Sequence, residues 1–223
     1  MSTTRRAVLA AAAAAAVASP AVAQDARPGW LAAHPGVRNW WDTPTISGAR
    51  FLNTRLQPGP ESNANVTVRE WLGGRPTIVA VWATWCPPCI AEKRPEAEFS
   101  QRLENAGSRA QLRALLAYDS TRLPEAQQRL QSLGAAGLAN GRALESAEQA
   151  LLQIFGFRRN RNSVLRDDQQ FAYLRTALPF TLLFDSDGNL LGQSIGMMVS
   201  ESGRSYWRTQ EAFALMRQLA GES

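Results

Sequence analysis

Trp85-Cys86-Pro87-Pro88-Cys89 closes the apolar run Thr77-Ile78-Val79-Ala80-Val81-Trp82 and holds the only two cysteines among 223 residues. A continuously apolar run of this length reads as a central strand covered on both faces. From Ile90 to Leu103 the pattern becomes helical. Cys86 then falls at the helix N-cap and Pro87 in the first turn, where a missing N–H costs nothing. The unpaired N–H groups and the positive dipole end of that helix favour a thiolate over a thiol. With a second cysteine one turn on, the stretch carries what thiol–disulfide exchange needs. The first thiolate attacks a partner disulfide, and the second resolves the mixed disulfide. Position makes Cys86, expected to be exposed, the nucleophile and Cys89, tucked against the helix, the resolving thiol.

Two plainer readings compete. A disulfide between residues three apart closes a tiny loop, removes little chain entropy and makes a poor staple. A structural zinc needs about four ligands, whereas this chain offers two cysteines and the single, distant His34. A metal shared with a partner protein stays open as an alternative. Met197-Met198 has no Cys or His nearby and reads as packing rather than copper ligation. The expected redox group is the Cys86–Cys89 disulfide itself, with no further cofactor and no metal.

Outward from this centre, Leu123–Leu133 and Ala143–Phe155 read as helices joined by the Gly-rich segment 134–141. Arg113–Asp119 reads as a second core strand, giving a strand–helix–strand crossover. Phe180–Phe184 and Leu190–Ile195 form a hairpin around Asp185-Ser186-Asp187-Gly188-Asn189, whose Asp-Gly is a turn signal. Ser205–Ala220 is an amphipathic C-terminal helix. Residues 46–56 and 66–72 are short elements separated by Gln57-Pro58-Gly59-Pro60. Residues 24–45, with Trp30, Trp40 and Trp41, read as an irregular extension packing on the domain surface, the tryptophans offering an alternative as a docking patch. Pro95 is expected to kink the CxxC helix.

Two strings, Val81-Trp82-Ala83-Thr84-Trp85-Cys86-Pro87-Pro88-Cys89 with Glu92 three residues on, and Leu178-Pro179-Phe180-Thr181-Leu182-Leu183-Phe184-Asp185-Ser186-Asp187-Gly188, carry a family resemblance. Over roughly residues 44–223 the chain resembles the thioredoxin superfamily, and within it the TlpA/ResA-like exported thiol:disulfide oxidoreductases. The resemblance implies an α/β thioredoxin-like fold, a central mixed sheet flanked by helices, with a thioredoxin-like domain over 46–223 and a helical insertion at about 120–176. It implies a cis Pro179 against the CxxC, with Leu178 offering backbone groups to an extended substrate, and it implies that Glu92 acts on the cysteine pair. Trp85, Pro87 and Pro88 complete the expected substrate-binding set. The helix proline falls six residues after Cys89 where the family has five, which bears on the direction of Glu92. Ala80 stands where general thioredoxins carry a buried aspartate.

Residues 1–23 read as an export signal: Thr4-Arg5-Arg6-Ala7-Val8-Leu9 is twin-arginine-like, and Ala21-Val22-Ala23 is a cleavage site. A general secretion signal is the alternative. The expected location is the periplasm, with no stable membrane span after signal removal. The formal charge is +5, and losing Arg5 and Arg6 leaves +3, too mild and scattered to argue for nucleic acid. The basic segment Phe157-Arg158-Arg159-Asn160-Arg161-Asn162, with Arg166, reads as a solvated loop, with partner docking or an anionic ligand as the alternative. The function expected from the resemblance is reduction of client disulfides, of the cytochrome c maturation or copper-site assembly type. Expected partners are a client bearing a disulfide or CxxC and a membrane electron donor of the DsbD/CcdA kind. A disulfide oxidase or isomerase, and a dithiol Cu(I) metallochaperone or redox-sensing module, are the alternatives.

Overall fold

The computed structural model describes residues 29–35, 40–44, 47–155, 177–199 and 203–222. The proposed signal and the basic segment after Phe157 lie outside the described residues. In chain order the elements are α1 (Gly29–Ala33), α2 (Ala49–Leu52), β1 (Arg55–Gln57), β2 (Val66–Thr67), α3 (Val68–Leu72), β3 (Thr77–Trp82), α4 (Pro87–Asn105) and β4 (Gln111–Leu116). Then follow α5 (Leu123–Ser132), β5 (Asn140–Ala143), α6 (Glu145–Ile154), β6 (Phe180–Phe184), β7 (Leu190–Ile195), a 3-10 turn (Tyr206–Arg208) and α7 (Gln210–Leu219). Seven strands form one mixed sheet in the order β2-β1-β5-β4-β3-β6-β7. β3 runs parallel to β4 and antiparallel to β6. This is the thioredoxin-like arrangement the sequence implies, with β3 inside the sheet between β4 and β6 and every one of its side chains buried.

Local chemistry explains the element ends. Thr67 caps α3 in a capping box with Glu70, satisfying two orphan donors at once. Asp185 accepts from the backbone N–H of Asp187 and of Asn189, closing the β6–β7 turn. The CxxC helix runs unbroken from Pro87 to Asn105 with Pro95 inside it.

Three expectations need correction. The Gly-rich segment 134–141 does not merely join two helices: Asn140–Ala143 enters the sheet as β5, parallel to β4 and antiparallel to β1. Part of the expected insertion thus widens the sheet. Glycine is required there, because a Cβ on Gly141 would lie 3.1 Å from both Gln57 O and the Trp71 ring. The second core strand is Gln111–Leu116 rather than Arg113–Asp119, since Gln111 already pairs with Thr77.

The third correction concerns the N-terminal extension. Leu31 and Trp41 are 0% and 5% exposed and belong to the core. Trp41 Nε1 donates to the Tyr206 hydroxyl at 2.9 Å, Trp40 packs on the same ring, and Asp42 bridges to Gln193 of β7. Gly192 makes room for the Trp41 side chain, which a Cβ there would meet at 3.1 Å. Three tryptophans therefore do not form one exposed patch; of the three, Trp30 alone faces solvent to a large extent.

Candidate active site

Cys86 is the N-cap of α4 in extended backbone conformation, and Pro87 opens the helix as expected. Its Sγ is bonded to Cys89 Sγ, with the two Cα atoms 5.3 Å apart, and accepts from the Cys89 N–H at 3.2 Å. The sulfur thus sits under the positive end of a 19-residue helix, where an anion is stabilised. One expectation fails in this disulfide form: Cys86 is only 1% exposed. Its sulfur lies inside with that of Cys89, which is 0% exposed, while Pro87 is exposed and Trp85 and Pro88 are half-buried around it.

The loop leading to the cysteines is tied to the loop after β4. Thr84 donates through its backbone N–H and its hydroxyl to Asp119 Oδ2 at 2.6 and 2.7 Å. Burial alone would raise the Asp119 carboxyl, but hydrogen bonds from Thr121 and Thr84 hold it below the usual carboxylate range. Trp85 Nε1 donates to the Tyr118 carbonyl at 3.0 Å. Tyr118 adopts φ 57°, a left-handed conformation uncommon outside glycine. It is fixed there by α6, its N–H and hydroxyl donating to the Glu148 carboxylate and carbonyl at 2.6 and 2.7 Å.

The Leu178–Pro179 peptide is cis, as the resemblance implies. Since Val81 pairs with Phe180, Pro179 stands at the end of the sheet from which the chain runs to the CxxC. The Gly196 N–H donates to the Pro179 carbonyl at 2.8 Å, and the Leu178 side chain is buried.

Glu92 points inward despite the displaced proline. It is 2% exposed, and its Oε1 accepts from the Met198 N–H at 2.8 Å and from Trp207 Nε1 at 3.3 Å. Burial, and next the neighbouring Glu96 carboxylate, push its pKa up to about 7, against the opposing pull of those hydrogen bonds and of Lys93. Met198 accordingly serves the site through its backbone, while Met197 is exposed. Among the described residues no group of three or more His, Cys, Asp or Glu could hold a metal ion.

Two buried charged residues on the same helix were not singled out by the sequence. Lys93 and Glu96 are 0% and 1% exposed and form an ion pair at 2.5 Å. Lys93 Nζ lies 5.5 Å from the Trp82 ring centroid. Trp82 shares its face of β3 with Ala80, so acidic groups beneath this helix come from α4 rather than from the strand. The signal was present in the spacing: stepping back from Leu103 and Phe99 by three or four reaches Glu96, Lys93, Glu92 and Cys89.

No family model matches the chain, and no curated protein matches it. Solved structures do. A secreted thiol-disulfide isomerase from Corynebacterium glutamicum aligns at 14% identity over 73% of this chain and 80% of its own, TM-score 0.48. A thiol:disulfide interchange protein of the thioredoxin family from Chlorobium tepidum aligns at 19% identity over 75% and 97%, TM-score 0.45. A secreted Mycobacterium tuberculosis disulfide oxidoreductase, homologous to Escherichia coli DsbE, aligns at 12% identity over 77% and 97%, TM-score 0.43.

Proposed function

We propose that this chain is an exported thiol:disulfide oxidoreductase that reduces disulfides in client proteins. The observation that supports it most is the seating of Cys86 as N-cap of α4 with Cys89 one turn inside the helix. In the reduced protein the Cys86 thiolate attacks one sulfur of a client disulfide, and the client's other sulfur leaves and takes up a proton. Glu92 accepts the Cys89 proton, Cys89 attacks the Cys86 sulfur, and the client's first sulfur leaves as a second thiol. Two electrons have passed to the client, and the Cys86–Cys89 disulfide remains. Trp85, Pro87, Pro88, Leu178 and Pro179 frame the surface over which the client lies.

Recharging needs a dithiol donor, for which a membrane protein of the DsbD/CcdA kind fits a periplasmic location reached by the twin-arginine-like signal. Clients with a CxxC, as in cytochrome c maturation or copper-site assembly, suit a narrow reductase. Among the described residues no helix is long and apolar enough to cross a membrane.

The test is direct. Cys86→Ser abolishes disulfide reduction, and Cys89→Ser accumulates mixed disulfides with clients; turnover by the Cys86 variant overturns the assignment. The equilibrium reduction potential fixes direction: a value near about −270 mV fits a thioredoxin-like reductant, whereas one near about −120 mV makes the protein an oxidant.

A further inference from the structure

One face of α4 carries four titratable groups, of which the exchange steps above use only Cys89 and Glu92. Cys89, Glu92, Lys93 and Glu96 are spaced i, i+3, i+4 and i+7, so they line one stripe of the helix. They are 0%, 2%, 0% and 1% exposed. Glu92 Oε2 and Glu96 Oε1 are buried and carry no hydrogen bond among the described residues. The charges acting on Glu92 are Glu96 and Lys93. Of the strands packed against α4, β3 is Thr-Ile-Val-Ala-Val-Trp and brings no charge, and the one charged residue of β4, Arg113, lies over the Trp71 ring. The 3-10 turn contributes the Trp207 indole and Tyr206, a buried phenol held neutral by desolvation. Arg208 of that turn points away, to Glu98.

With Lys93 cationic and Glu96 anionic the pair is neutral, and an ionised Glu92 would add a second buried anion beside Glu96. We propose that Lys93 and Glu96 are positioning residues for the Glu92 carboxyl. Glu96 drives Glu92 to hold its proton, Lys93 opposes this, and their balance sets the pH at which Glu92 exchanges a proton with Cys89. The proposal rests on the exchange reading above and deepens it. During resolution Cys89 gives its proton to Glu92 as the Cys86–Cys89 bond forms; when the disulfide reopens, the proton returns to the Cys89 thiolate.

The opposed signs give the test. In full-length oxidised protein, the Glu92 side-chain carboxyl is followed by carbon NMR across pH in Glu96→Gln, Lys93→Met and the doubly substituted chain. Glu96→Gln lowers the Glu92 midpoint and Lys93→Met raises it, each by about threefold or more in proton affinity, half a pH unit. In the reduced proteins the pH–rate midpoint for a small disulfide moves the same way. Should a single variant not fold, the double variant, which leaves no unpaired charge in the pair, carries the test. Its midpoint lies above that of Glu96→Gln and below that of Lys93→Met, so it is read against whichever single variant folds. Coincident midpoints, or shifts of one sign in both single variants, overturn the proposal. The two readings fail separately: turnover by Cys86→Ser removes exchange, while unmoved Glu92 midpoints in proteins that turn over remove only this role.

Discussion

Helix α4 pairs a basic with an acidic residue on each of two faces, in opposite surroundings. Outside, Arg94 and Arg208 converge on Glu98 at 3.1 and 3.0 Å with side chains 72%, 58% and 44% exposed. Inside, Lys93 meets Glu96 with both side chains out of water. The chemistry and the sequence spacing are nearly the same. Water shares the outer charges and screens them, so their attraction is offset by the entropy of holding long side chains. The inner pair has lost its hydration, so each partner depends on the other. The energetic worth of a charge on a helix therefore follows from its stripe rather than from its type.

Breaking the inner pair is the severest test of that contrast. Lys93→Met leaves Glu92 and Glu96 without their cation and is expected to cost about 3 kcal/mol in denaturant unfolding. Combining it with Glu96→Gln recovers most of the loss, and a double variant as unstable as the single one would refute pairing as the cause.

Acid and base should also tell the two faces apart. Burial raises the Glu92 pKa from 4.5 to about 7, so the folded protein binds a proton that the unfolded chain releases between those values. Stability from this group is therefore complete below about pH 4.5 and is lost as pH rises through about 7, by up to about 3 kcal/mol. Glu92→Gln, which keeps an acceptor for Met198 and Trp207, flattens that decline in melts from pH 4 to 8. Some slope persists through Glu96, whose carboxyl burial also raises. The smallest effect is outside: Arg94→Ala or Arg208→Ala changes stability by at most about 0.5 kcal/mol, fading with added salt. A larger loss there would erase the distinction between the two faces.

The centre of the fold was legible because its residues have one reading each. Thr77–Trp82 is short, apolar and rich in β-branched residues, which favours a covered strand, and Pro87 before a helical pattern suits a first turn. β5 was illegible because Asn-Gly-Arg-Ala has poor strand propensity; two flanking strands impose the conformation, and Gly141 is chosen for the space under Trp71. Trp41 escaped for a similar reason, since its partner Tyr206 lies 165 residues away and no local pattern announces it. Within the site the cysteines and Glu92 could be picked out by spacing and resemblance. Lys93 and Glu96 could not be picked out by type, because charged residues are almost never buried singly, and their pairing is visible only when the stripe of Phe99 and Leu103 is followed backwards.

Lys93 is also the only lysine in the chain, and it is wholly buried. The folded protein thus offers amine-directed acylating reagents no side-chain target at its surface; they find one only when α4 lifts from the sheet. Acylation of this one residue is therefore a built-in clock for the opening of the helix that carries the disulfide, readable by mass spectrometry as a single mass increment on an unaltered sequence.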